Sequence, residues 1–426
     1  MINKSITMFK KSMLLKNTLT LSVGQFISQI LLLISLPVIT RLYSPEDFGL
    51  LAAFVAAANI LSSFFVLKFD QALVLPESDS VAKYLLNFIS KIPLVFFLVL
   101  IGPFIFFESY LSEFFKIKDS FVYLVPVFAM LISYGQIFLA YRNRQEKYLL
   151  MSYSRVLLVI STIILQIGFI YIHDINNGLI YGLIGGQFIY FIVLGFTDIK
   201  ELSYFIQDSK YKYRAFFNKY KDFPKYTLPS SFLNITAIQL IPIILLLYYG
   251  AEVAGLVFIT QKLLGAPFGL LGESLKQVVY KKMSTLSSDK SGLFKLTNQV
   301  VILSFVSGGV IMSIIYILLP YVFEFLFPQK YYQSVEFFLY LIPLYLFQLA
   351  ISPILSIVYV IKRQKEYFIW EIFRFIIVIS VLVFGGIYED IFITLLLFSI
   401  SQAFLYTIIF ISICYWQKKF FLHLDN

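Results

Sequence analysis

Long apolar runs fill this chain, and short polar loops that hold most of its charges separate them. A helix needs about 20 apolar residues to cross the hydrocarbon core of a bilayer. Twelve stretches reach that length: residues 17–39, 48–67, 86–107, 120–140, 152–172, 179–197, 226–249, 252–273, 295–319, 333–358, 366–387 and 391–415. The pattern predicts an all-α membrane protein with 12 transmembrane helices. The first run follows a basic start but lacks a small-residue cleavage site, so it is expected as helix one and not as a removed signal. A 59% hydrophobic share and a mean hydropathy of +0.84 agree with that class.

Charge placement gives the orientation, because loops rich in lysine and arginine stay on the cytoplasmic side. With the N-terminus inside, the inner loops and tails, counting Lys295 at the first position of a span, hold 26 Lys and Arg, against Arg41, Lys116, Lys118 and Lys330 outside. Both termini are therefore expected in the cytoplasm. The net charge of +10 reads as topology and not as nucleic-acid binding. The richest inner loop, "DIKELSYFIQDSKYKYRAFFNKYKDFPK", has the basic and aromatic character of a segment lying on anionic membrane lipids. One cysteine, Cys414, and two histidines, His173 and His423, leave thiolate chemistry and Cys/His metal sites almost without ligands. An enzyme is not expected.

The halves of the chain repeat. Pro37, Ile39, Leu42 and Tyr43 align with Pro242, Ile244, Leu247 and Tyr248; after one inserted residue, Glu46, Gly49 and Leu50 meet Glu252, Gly255 and Leu256. Farther on, Arg144, Gln145, Tyr148, Arg155 and Ile160 meet Arg363, Gln364, Tyr367, Arg374 and Ile379 at an offset of 219. Several anchors with a slowly drifting offset mark a duplication. Six helices per copy return the chain to its starting side, so two six-helix bundles, residues 1–208 and 209–426, are expected about a pseudo-two-fold axis along the membrane normal, with a pathway between them near the midplane.

The stretch "LPVITRLYSPEDFGLLAAF", residues 36–54, contains a helix start. Ser44 is placed as N-cap, Pro45 at the first helical position, and Glu46 and Asp47 against the positive helix end. Together with "LKFDQALVLPESDSVA", residues 67–82, it resembles the opening of bacterial O-antigen and polysaccharide flippases of the Wzx type, in the MATE-like multidrug/oligosaccharidyl-lipid/polysaccharide superfamily. The resemblance implies a MATE-like pair of bundles in the bacterial inner membrane that moves an undecaprenyl-diphosphate-linked glycan from the cytoplasmic to the periplasmic leaflet. It implies no bound cofactor, coupling to a proton or sodium gradient, and polysaccharide assembly proteins as partners. A MATE-like small-molecule exporter is the alternative, which a carboxylate deep in the N-terminal half would favour.

The resemblance transfers no short signature, so site residues come from charge and position. Intramembrane charges are costly and usually face protein or water. Lys262, Arg374, Arg155 and Lys91 lie inside predicted spans, and a cationic interior suits a diphosphate. Lys262 leads, on a stripe with Gly255, Gly265, Gly269 and Gly272; its repeat counterpart is Ala56. A snorkelling lysine on a packing face is the competing role, and Glu371 is placed to neutralise Arg374. Gln25, Gln29 and Asn234 are candidates for sugar hydroxyls or for tying helices together. Arg41 is set either to pair with Glu46 or to meet substrate. Asp70 with Lys68, and Glu273, are candidate gate charges, while Pro37 and Pro242 are candidate hinges.

Overall fold

The computed structural model describes residues 2–76, 78–115, 122–172, 177–196, 213–286 and 289–422. All principal elements are helices: α1 (Ile2–Leu42), α2 (Pro45–Phe65), α3 (Asp79–Phe106), α4 (Glu108–Phe115), α5 (Leu124–Arg144), α6 (Tyr148–Phe169), α7 (Gly178–Gly195), α8 (Tyr213–Tyr220), α9 (Leu228–Thr285), α10 (Lys290–Leu326), α11 (Gln333–Ile351), α12 (Gln364–Ile387) and α13 (Ile391–Leu422). Among the described residues, 11 are long and apolar enough to cross a membrane. Expected spans seven and eight both fall within α9, a 58-residue element interrupted at Gly250, whose φ of 85° no helix contains. The break falls between those two spans, at a glycine that tolerates positive φ, and the helical run continues through Pro242, the candidate hinge. Likewise α1 continues through Pro37.

The start of α2 is a reciprocal capping box. Asp47 N–H donates to Ser44 Oγ at 3.3 Å, and Ser44 N–H donates to Asp47 Oδ2 at 2.8 Å, which satisfies two donors that the helix end leaves open. Pro45 occupies the position between them where no amide is needed.

Packing gathers the chain into two compact units, one of Met1–Tyr43 and Ala53–Ile235, the other of Ser44–Ala52 and Thr236–Asn426. The boundary expected at residue 208 lies outside the described residues.

In the first unit, α6 packs on α1 and α7, and α5 on α3 and α7. Small residues allow the closest contact. A Cβ on Gly182 would lie 2.7 Å from the backbone nitrogen of Gln166, and one on Gly186 would lie 2.0 Å from Thr162 Oγ1. A second cluster forms at one end, where Phe69, Ala72 and Leu73 of the short turn Phe69–Val74 are buried with Leu85, Leu86 and Ile89 of α3 and Phe216 and Tyr220 of α8.

In the second unit, α11 packs on α10 and α13, and α12 on α13. Thr260 Oγ1 donates to Ser334 O at 2.9 Å and Ser334 Oγ to Leu256 O at 3.0 Å. These hydroxyls fasten α9 to α11 without leaving a polar group unpaired in an apolar medium.

The duplication is visible in hydrogen bonds. Tyr43 OH donates to Gln166 O at 2.6 Å in the first unit, and Tyr249 OH donates to Gly385 O at 2.7 Å in the second. Gln166 and Gly385 are related by the same offset of 219 that pairs Arg155 with Arg374. The working equivalent of Tyr43 is thus Tyr249 and not the neighbouring Tyr248, because the inserted residue precedes the tyrosine. Both halves also turn through a left-handed residue, Glu146 and Lys362, after which Lys147 N–H bonds Arg142 O and Arg363 N–H bonds Val358 O.

The duplicated glycines meet within the second unit. A Cβ on Gly49 would stand 1.9 Å from Ala251 O, and one on Gly255 would stand 1.8 Å from Pro45 O. Backbone oxygens cannot yield to that intrusion. Gly49→Ala and Gly255→Ala are each expected to destabilise the protein by about 1–3 kcal/mol. Gly269→Ala, whose Cβ would meet nothing within 4 Å, should leave the unfolding midpoint in place. Thermal unfolding of the purified variants checks this, and three equal midpoints would refute it.

Candidate functional site

In the first unit, α1 approaches α6 closely because Gly24 leaves room for Ser152, whose Oγ donates to Thr20 O at 3.0 Å. That approach brings two expected site residues together: Arg155 Nη1 donates to Gln25 Oε1 at 3.2 Å, and both side chains are half-buried. The pair offers further guanidinium and amide donors to an anion or a hydroxyl. Gln29 and Asn234 are also half-buried.

Lys91 is not an open cation. Its ammonium donates to Tyr213 OH, which in turn donates to Asn87 Oδ1 at 2.9 Å. The rings of Phe88 and Tyr213 pack beside them, tilted by 33° with centroids 5.4 Å apart. The lysine therefore ties α8 onto α3, and its charge is held by a phenol that comes from 122 residues farther along the chain.

Arg374 is likewise committed to the interior. Its side chain is 9% exposed and that of Glu371 1%, with Nη1 to Oε2 at 3.6 Å. Arg374 Nε donates to Gln402 Oε1 at 3.1 Å, and the rings of Trp370 and Tyr406 lie 5.6 Å from the guanidinium carbon. Tyr367 OH donates to Glu371 Oε1 at 2.7 Å. Tyr367, Trp370, Glu371 and Arg374 are spaced to share one helix face, so a cluster of this kind was visible in the sequence; Gln402 and Tyr406, from α13, were not. The arrangement encloses a cation between two helices and pairs it with a carboxylate and an amide.

Arg142 falls between the expected spans 120–140 and 152–172, yet it is 1% exposed. Its Nε donates to Leu194 O at 2.8 Å and Nη2 to Gly195 O at 3.4 Å, neutralising the carbonyl end of α7. Nearby, Arg144 Nη1 reaches Pro76 O and Nη2 lies 3.0 Å from Asp79 Oδ1, which pins the connection between α2 and α3.

Lys262 differs from these. It is exposed, and among the described residues no hydrogen bond or ion pair reaches its ammonium, which lies 5.0 Å from the centroid of the Phe258 ring. One and two turns on, Gly265 leaves a Cβ only the Tyr345 hydroxyl at 3.9 Å, and Gly269 leaves it nothing within 4 Å. A free cation with space along its helix face can receive an anionic group. Its repeat counterpart, Ala56, is fully buried.

The expected gate residues belong to different elements. Arg41 is exposed in the last turn of α1, and the side chain of Glu273 lies outside the described residues. Asp70 sits in the Phe69–Val74 turn, which follows two left-handed residues, Leu67 and Lys68, and its Oδ1 is buried with no hydrogen-bond partner. Burial raises the Asp70 carboxyl above its ordinary value of 3.8, while Lys68 and the amides of Asp70 and Gln71 pull the other way.

Solved structures share this fold. A structure titled "Lipid II flippase MurJ, inward closed conformation" matches with a TM-score of 0.71 and 15% identity over 95% of this chain and 92% of that one. An inward-facing multidrug resistance MATE family transporter of the MOP superfamily matches at 0.64 and 12% identity over 93% and 95%. An outward-facing one matches at 0.60 and 12% over 96% of each chain. A search of curated proteins gives no match. The helical elements and these likenesses define a multi-pass membrane protein of the MATE-like fold. Residues 38–336 match the sequence model of one family, described as "Polysaccharide biosynthesis protein", and the chain belongs to that family.

Two predictions follow from the side-chain geometry. Arg374→Ala should cost about 3–5 kcal/mol, because it strands a buried carboxylate, while Lys262→Ala should leave stability unchanged; denaturant or thermal unfolding that ranks them otherwise would refute the assignment. For Asp70, the folded state holds the proton more tightly than the unfolded chain. Stability from this group is therefore gained as pH falls from the raised value towards 3.8, and lost as pH rises through the raised value. Relative to Asp70→Asn, the wild type should become more stable on acidification, and a difference that does not change with pH would count against a buried carboxyl.

Proposed function

We propose that this protein is a flippase that carries an undecaprenyl-diphosphate-linked oligosaccharide across the bacterial inner membrane, from the cytoplasmic to the periplasmic leaflet, by alternating access. One observation carries the reading: a chain of the polysaccharide biosynthesis protein family has the fold of a protein titled a lipid II flippase. Polysaccharide assembly needs a polar glycan moved past apolar lipid, and a helical membrane protein with few catalytic side chains suits transport better than bond chemistry. The strong bias of lysine and arginine towards one set of loops supports cytoplasmic termini.

Lys262 is the residue to which we assign the diphosphate, as a compact charge with no competing partner. Arg155 and Gln25 are assigned to polar groups of the lipid-linked sugar. Arg374 and Lys91 drop out of direct contact because their charges are already held. Transport would draw on a proton or sodium gradient, and assembly proteins would supply and remove the glycolipid. A small-molecule exporter for organic cations would call for an open carboxylate deep in the first unit. The acidic side chain that is fully buried among the described residues, Glu371, lies in the second unit and faces Arg374.

Liposomes reconstituted with the protein and a fluorescent lipid-linked oligosaccharide test the proposal through exposure of the label to an external quencher. Protein-dependent exposure is expected, with Lys262→Ala slowing it at least about tenfold, the loss of one charge-assisted contact of about 1.4 kcal/mol or more. No protein-dependent exposure would overturn the flippase. Full activity in Lys262→Ala would remove that residue from the pathway.

A further inference from the structure

At one end of the second unit, α10 begins and α13 finishes beside a surface cavity of about 300 Å³ lined by Lys290, Ser291, Phe294, Gln417 and Lys418. Its walls are largely the Phe294 ring and the aliphatic stems of the lysines. The Lys418 ammonium stands 6.0 Å from the centre of that ring. Lys295 and Lys419 are exposed on the same two helix ends, which among the described residues carry four lysines and one carboxylate, that of Asp289. Asp289 is already engaged as N-cap: its Oδ1 accepts from Gly292 N–H at 2.9 Å and from Ser291 Oγ at 3.2 Å.

Lysines at the carbonyl end of α13 can be explained by the helix dipole alone. Gln417 cannot. It is 1% exposed, its Nε2 donates to Thr297 Oγ1 at 2.9 Å, and its Oε1 is buried with no hydrogen-bond partner. Turning the amide over does not cure this, because it would put Nε2 in the buried place that has no partner. A buried acceptor left open is costly and calls for a donor from outside the chain.

We propose that this cavity is a binding site for an anionic glycerophospholipid whose headgroup carries a hydroxyl. The phosphodiester meets Lys290 and Lys418, the headgroup hydroxyl donates to Gln417 Oε1, and the apolar walls receive the glycerol and the first methylenes. Position favours a lipid over a soluble phosphate. The cavity lies where two apolar spans, Lys290–Leu326 and Ile391–Phe420, start and stop, which is the level of the headgroups. Within the next turns, α10 exposes Ile302 and Leu303 and α13 exposes Tyr415 and Ile411, an apolar flank for acyl chains. The site is distinct from Lys262 and does not depend on what the protein transports.

Native mass spectrometry of the full-length, delipidated protein in a non-ionic detergent tests this. It is offered phosphatidylglycerol, phosphatidylmethanol, which has the same charge but no hydroxyl, or phosphatidylcholine with identical chains. Phosphatidylglycerol is expected to bind at least tenfold better than phosphatidylcholine, and the double variant Lys290→Ala/Lys418→Ala should lose that preference. Lys219→Ala/Lys221→Ala, exposed lysines of the first unit, should keep it. Gln417→Met should level phosphatidylglycerol with phosphatidylmethanol while both still exceed phosphatidylcholine. Equal binding of the three lipids by the wild type, or an unchanged preference in the Lys290/Lys418 variant, overturns the site. Displacement of phosphatidylglycerol by millimolar inorganic phosphate would make it a site for free phosphate and overturn the lipid assignment. Since the readout is binding, a flippase assay that fails leaves this result standing, and the reverse holds.

Discussion

A polar group placed in hydrocarbon must find its partner within the chain, and the architecture of this protein follows from that demand. Helices satisfy their own backbones but not their ends or their polar side chains. The carbonyl end of α7 is closed by Arg142, and the start of α2 by the mutual bonds of Ser44 and Asp47. Between helices, Tyr43 and Tyr249 each spend a hydroxyl on a carbonyl of a neighbouring helix. Helix association here depends on such bonds and on glycine contacts, because apolar surface gains little by leaving lipid for protein.

This explains which parts of the fold could be read from the sequence. Spans, capping and duplication are local or periodic properties, so the apolar runs, Ser44–Asp47 and the paired glycines 49 and 255 identified themselves. The contact between those two glycines gives a physical reason for their presence in both copies: each opens the space that the other copy's backbone fills. What the sequence hid were partners far along the chain. Nothing near Lys91 points to Tyr213, and nothing near Arg374 points to Gln402 and Tyr406. Their charges looked available because only half of each interaction is written locally.

The duplicated frame does not carry duplicated chemistry. Arg155 and Arg374 share an offset and a glutamine partner, but the glutamine comes from α1 in one half and α13 in the other. The first arginine stays half-buried beside a single amide, while the second is enclosed by Glu371, Trp370 and Tyr406. At the matched pair Ala56 and Lys262, the relation inverts: the first half buries a methyl group and the second presents a charge. Divergence after duplication has therefore left different cations available in the two units.

That asymmetry bears on how an intramembrane charge should be judged. Position inside a span nominated four basic residues, yet position gives only the cost of exposing a charge to lipid and not how that cost is met. What separates them is whether the cost is met inside the chain. Arg374 and Lys91 have it met by carboxylate, amide or phenol, so removing either would mainly injure packing. Lys262 has only the face of Phe258 near its ammonium, too weak a contact to account for a charge held in an apolar span. The glycine-lined face beside it provides room for water or for an anion.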